Sequence, residues 1–201
     1  MVGSRSKRSL LVVPAAAALG SLLAAAPAGA HTGHPVSGAG DGFLHPITGP
    51  DHLLAMVAVG VVAATMARGR STWLAPAAFV GGMTVGGIAG MVGIGLPGAE
   101  AMIAASVVLL GLAIAAAVEL RGRSAGVLLG LLALAGVAHG HAHGAEAPAS
   151  VHPVAYVAGF LAATVLLHVV GVGVGTVIRD RRTVRLGIGV ATVAAGALLF
   201  V

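Results

Sequence analysis

Seven long apolar runs, separated by short polar breaks, set the pattern of this chain. The first covers residues 10–26, and the others cover 50–67, 73–95, 100–118, 125–139, 152–178 and 184–201. The last six approach or exceed the ~20 residues with which a helix crosses the hydrocarbon of a bilayer. The run 125–139 is short enough to start or end in the interface, and 152–178 is long enough to tilt.

The first run differs from the rest. Arg5, Lys7 and Arg8 precede it, Pro14 and Pro27 keep it short, and Ala28-Gly-Ala30 follows. A positive segment, an apolar segment and a small-x-small site make a secretory signal peptide; the alternative is an uncleaved first transmembrane helix. The expected organisation is a signal peptide at 1–30, an extracytoplasmic His-containing segment at 31–49 and a six-helix transmembrane domain at 50–201. The fold class is an all-α, polytopic membrane bundle.

Arginines fix the expected orientation. Arg68 and Arg70 fall between the first and second of the six spans, Arg121 and Arg123 between the third and fourth, and Arg179, Arg181, Arg182 and Arg185 between the fifth and sixth. The breaks 96–99 and 140–151 carry none. Every other connection is basic, so those connections face the cytoplasm. The expected location is the inner (plasma) membrane, with both mature termini outside the cytoplasm. Gly82-x3-Gly86-x3-Gly90, and Gly171 with Gly175, form small-residue ridges suited to close helix contact.

Composition agrees. The 201 residues are 58% hydrophobic and 8% charged, against about 25% charged in soluble domains, and mean hydropathy is +1.03. The net charge of +5 resides in topology-setting arginines, which leaves no basic surface for nucleic acid. Cysteine is absent, so thiolate metal ligation is excluded. No phosphate-binding Gly-x4-Gly-Lys-Ser/Thr loop, His-Glu-x-x-His or Gly-x-Ser-x-Gly occurs, which argues against ATP hydrolysis and the common hydrolase motifs.

Histidine changes the picture. His31, His34, His45, His52, His139, His141, His143 and His152 map at or near the outer side, and none lies in an inner connection. His168 stands 11 residues before Arg179, or ~16 Å along a helix, which places it near mid-membrane. Ionisable groups at such depth are costly and mark substrate or ion pathways.

Pro50 suits the first helical position, with Thr48 or Gly49 as cap. Asp51 and His52 then lie in the first turn, where the helix dipole favours a carboxylate. Pro46 and Gly49 let the chain turn back, bringing His45 toward the same point. Imidazole and carboxylate together suit Ni²⁺, Co²⁺ or Zn²⁺, and Met56, one turn on, offers a soft contact. The competing reading is that Asp51 only caps the helix.

His139 and His143 share a face if helical; all of His139, His141 and His143 share a side if extended. Short His-rich tracts bind metals, although a solvated loop carries the same residues. His168 is either a ligand or a partner in an interhelical hydrogen bond. Glu100 opens a span where the dipole welcomes it, and Glu146 reads as a loop charge.

The run His45-Pro-x-x-Gly49-x-Asp51-His52-Leu-Leu-Ala-Met56-Val-Ala-Val-Gly60 resembles the hallmark of the HupE/UreJ family, the hydrogenase- and urease-associated nickel/cobalt permeases. Glu100 with Ser106 and Leu110-Gly111-Leu112 add to it. So do His139-Gly-x-Ala-His143-Gly-x-Glu146 and Gly159-Phe-x-x-Ala163-Thr164-x-x-Leu167-His168-x-x-Gly171. The resemblance covers residue 45 to about 175. It implies metal uptake through His45, Asp51 and His52, with His139, His143, Glu146 and His168 at matching polar positions. His141 looks like an addition to the family pattern. The His-x4-Asp-His of the separate nickel–cobalt transporter family is similar but one residue shorter, and serves as analogy.

The expectation is therefore a secondary transporter, not an enzyme, importing Ni²⁺ or Co²⁺ as substrate for urease or hydrogenase maturation. Residues His45, Asp51, His52, His139, His143 and His168 are the metal candidates, with Met56, Glu100, His141 and Glu146 secondary; Glu100 would balance charge. No resident cofactor is expected. Expected partners are the metal ion and the bilayer, with nickel chaperones, urease or hydrogenase accessory proteins and a second copy of the chain as candidates. Ligation needs neutral imidazoles, so uptake should weaken as pH falls through ~6.5. The alternative is an intramembrane zinc hydrolase with a His/Asp metal site, for which tightly held zinc and lipid turnover would be diagnostic. A cytochrome with two axial histidines is a third reading, decided by visible absorbance.

Overall fold

A computed structural model describes residues 38–116, 122–147 and 152–200. The expected signal peptide, His31, His34 and Arg121 lie outside the described residues. Helix α1 (Ala39–Thr48) leads into α2 (Pro50–Met66). A 3-10 turn (Gly69–Trp73) then precedes α3 (Leu74–Met91), α4 (Ala99–Ala116), α5 (Arg123–Glu146), α6 (Pro153–Ile178) and α7 (Arg182–Leu198). No strand occurs among the described residues.

The all-helical fold is as expected. Gly69–Met91, Ala99–Ala116, Arg123–Glu146 and Pro153–Ile178 are each long and apolar enough to cross a membrane, and α1 with α2 adds a fifth crossing if counted as one bent span. Helix α7, at 17 residues, is shorter. Val85, Ile88, Leu109, Leu112, Val165 and Val169 are exposed. An outer surface so apolar calls for lipid rather than water around it.

Helix α2 is central: Ala55, Met56, Val59 and Val62 are fully buried. Its neighbour α1 meets it at 84°. The elbow follows from Pro50, whose ring disfavours the helical region for the residue before it. Gly49 accordingly takes φ −83°, ψ 112°, and Pro50 opens α2 at its first position. Thr48 Oγ1 and the Gly49 amide both donate to the His45 carbonyl, at 3.0 and 3.3 Å, closing α1.

Two helical stretches exceed the sequence expectation. Residues 39–48, expected as part of an extracytoplasmic segment, are helical although two glycines and Pro46 make a poor helix in isolation. Tertiary contact supplies what propensity lacks: a Cβ on Gly42 would strike the Tyr156 carbonyl, and one on Gly159 the Ala39 carbonyl. Helix α5 likewise continues past residue 139 to Glu146. Its Gly136, Gly140 and Gly144 press on the carbonyls of Phe79, Met83 and Gly87, while Gly82, Gly86 and Gly90 of α3 press on those of Ala133, Val137 and His141. The glycine ridge of α3 is thus the contact face for α5, backbone against backbone.

The same device joins α2 to α6, through Gly60 against the His168 carbonyl and Gly171 against the Val57 carbonyl, and α4 to α7, through Gly111 and Gly189. The bundle is built of three tight helix pairs, with α1 laid on α6.

Candidate metal centre

The start of α2, the last turns of α5 and the middle of α6 place four histidines in one buried region, and α1 adds a fifth at its edge. At the mouth, His52 Nδ1–H donates to Asp51 Oδ2 at 2.7 Å. The His52 ring lies 4.1 Å from that of His143 and 5.0 Å from that of His139, centroid to centroid. His139 and His143 are one helical turn apart and share a face, so the helical alternative for this tract holds. His141 points away: its Nε2–H donates to the Ile94 carbonyl at 2.7 Å.

The elbow brings His45 back over the mouth. Its ring stands 4.7 Å from His143, and its Nε2–H donates to Glu146 Oε2 at 3.1 Å. Ligand atoms of His45, His143 and Glu146 lie within 4.8 Å of one another. His45 therefore contacts the far end of α5, where the sequence pattern had grouped it with Asp51 and His52. Glu146, expected as a loop charge, joins this outer triplet.

His139 is sealed from solvent, with Nε2 3.0 Å from Ser106 Oγ. Deeper, His168 is 1% exposed. The Phe79 ring packs against both imidazoles, 5.4 Å from His139 and 5.5 Å from His168. Phe160 packs 4.3 Å from His143. Met56 is buried one turn below His52. Glu100 is exposed in the first turn of α4, outside the contacts that link the other candidates. Beyond the far end of α2, a recess of about 320 Å³ is lined by Val62, Met66, Arg68, Ser71 and Leu128, among others.

Sequence reasoning missed Phe79 and Phe160 as ring partners. The available signal was scarcity: aromatics are 3% of the chain, so each one inside the bundle is informative.

The chemistry of this region lies in its unused nitrogens. His52 Nε2, His139 Nδ1, and both nitrogens of His143 and His168 are buried and meet no hydrogen-bond partner. A buried polar atom left unpaired costs about 1–3 kcal/mol, and such atoms ordinarily find partners. One lone-pair nitrogen on each of these neutral rings, beside two carboxylates, makes a donor set that a borderline divalent cation would satisfy.

The family described as HupE / UreJ protein matches residues 18–199 of this chain. A curated relative, "Protein HupE" of Rhizobium leguminosarum bv. viciae, is 45% identical over 169 residues, covering 84% of each chain. No solved structure matches.

Proposed function

The chain belongs to the HupE/UreJ family, and on that premise we propose that it is an inner-membrane permease. It admits Ni²⁺ or Co²⁺ from the outer side to the cytoplasm for maturation of urease or hydrogenase. The observation that carries this reading is the set of buried, unpartnered imidazole nitrogens contributed by α2, α5 and α6.

In this reading the hydrated ion first meets His45, His143 and Glu146, where one helix end and the elbow offer ligands to incoming cations. It sheds water at Asp51, His52 and His139. Asp51 offsets part of its charge where the bilayer would otherwise oppose entry. The ion then passes Phe79, whose ring packs against both His139 and His168, and leaves through the recess at the far end of α2. Moving two charges across ~100 mV yields ~4.6 kcal/mol, enough for roughly thousand-fold accumulation without ATP.

Radioactive nickel uptake in cells lacking their own permease tests the route. His168→Ala is expected to slow uptake about tenfold, the effect of losing ~1.4 kcal/mol at the barrier. Unaltered uptake would remove His168 from the path.

Six crossings after a cleaved signal peptide at 1–30, with the basic connections inside, complete the proposal. The chain has no cysteine, so introduced thiols report cleanly. A membrane-impermeant maleimide should label Pro97→Cys in intact cells and Ser71→Cys only after permeabilisation. The reverse pattern would invert the topology.

A further inference from the structure

Ser106 touches the cluster from α4, and counting its hydrogens shows what it does there. A serine hydroxyl has one hydrogen and two lone pairs. Ser106 Oγ donates to the Ile103 carbonyl at 2.7 Å. Two oxygens that close attract only with a hydrogen between them, so the hydroxyl hydrogen is spent. The same Oγ lies 3.0 Å from His139 Nε2, and there it can only accept. Nε2 therefore carries the ring hydrogen. A neutral imidazole has one N–H, which leaves His139 Nδ1 bare, buried and without a partner.

The same count applies to His52. Asp51 accepts from Nδ1–H at 2.7 Å, so Nε2 is bare, and it too is buried and unpartnered. The two rings stand 5.0 Å apart.

We infer that Ser106 is a positioning residue that holds His139 in its Nε2–H form, so that His139 Nδ1 and His52 Nε2 face a divalent cation as a preset pair of neutral donors. The inference deepens the permease reading and rests on it. Ser106 itself never meets the ion. Metal-binding histidines commonly donate their second N–H to a group that fixes the ring. Here a carboxylate serves His52 and a hydroxyl serves His139. The hydroxyl fixes the deeper ring without placing a second negative charge in the bundle, where it would hold a dication too tightly to release. Without Oγ, the buried Nε2–H has no acceptor, and the ring is relieved by moving its hydrogen to Nδ1, the atom the metal needs.

The test uses the full chain in lipid nanodiscs with isotope-labelled histidine. Nitrogen resonances distinguish a protonated from a bare ring nitrogen, and His139→Gln identifies the His139 signals. Wild type should show Nε2 protonated and Nδ1 bare. Ser106→Ala should populate both forms and raise the KM for Ni²⁺ about tenfold, with kcat close to wild type; Ser106→Thr, which keeps the hydroxyl, should restore both. A bare Nε2 in wild type, or a Ser106→Ala chain with the wild-type ring form or KM, overturns the assignment. The ring form is read without transport, so this result is distinct from a wild-type chain that gives cells no nickel uptake above background, which would sink the permease reading itself.

Discussion

Nickel uptake by the His52→Ala chain is expected to fall at least ~100-fold, to the background of cells without the protein. Removal of a group that merely orients a metal ligand costs 10–100-fold in affinity or activity, and His52 is placed as a ligand at the crossing of the site. Its ring is within 5.0 Å of both His139 and His143, so its loss separates the outer triplet from the sealed His139. The truncation also leaves Asp51, whose Oδ2 accepts from His52 Nδ1–H, facing the site without that side-chain donor. Asp51→Asn separates the two contributions. The amide oxygen can still accept from His52 Nδ1–H, while the charge is gone, so the expected loss is smaller, about tenfold. Uptake should be normalised to protein in the membrane fraction. Wild-type rates in His52→Ala would mean that the ion does not pass this point.

The second large effect is on packing. Gly140→Ala is expected to destabilise the bundle and abolish uptake, although it adds one methyl group and touches no ligand. A Cβ at Gly140 would meet the backbone of Met83, including its carbonyl oxygen, and backbone atoms cannot swing aside as a side-chain tip can. Helices α3 and α5 must therefore part. Overpacking costs typically about 1–3 kcal/mol, and the displacement falls on the helical turn bearing His139 and His143. Gly130→Ala provides the control: the same helix and the same methyl, but nothing within 4 Å of the new atom. Thermal unfolding in detergent should drop for Gly140→Ala and hold or rise for Gly130→Ala. Equal melting for the two would show that the glycine seam is not under compression.

Much of this arrangement was legible in the residues. Asp51 and His52 stand out because a carboxylate and an imidazole open an apolar run. The α3 ridge stands out because glycine recurs at helical spacing, and the structure puts Gly82, Gly86 and Gly90 against α5. His168 reads as deep from its distance to Arg179, and it is buried. What escaped was tertiary. Hydropathy ends α5 at residue 139 because histidines resemble a loop, whereas Gly140 and Gly144 bind that stretch to α3 and keep it helical. Helix α1 escaped for a similar reason, since its stability comes from contact with α6. The pairing of His45 with Glu146 spans 101 positions, and nothing in either neighbourhood announces the other. Phe79 carries no polar signal and becomes visible as a shared ring contact only once two helices bring His139 and His168 against it.

The three glycine-joined pairs carry a mechanical consequence. His52 and His168 ride on α2 and α6, which are locked together, while His139, His143 and Phe79 ride on α5 and α3, also locked. Spacing between histidines of one pair is held by these backbone contacts, but the gap from His52 to its two α5 neighbours lies between pairs. Any slip of one pair past the other would change the spacing of His52 from His139 and His143, and with it the hold on an ion that the proposed route brings there.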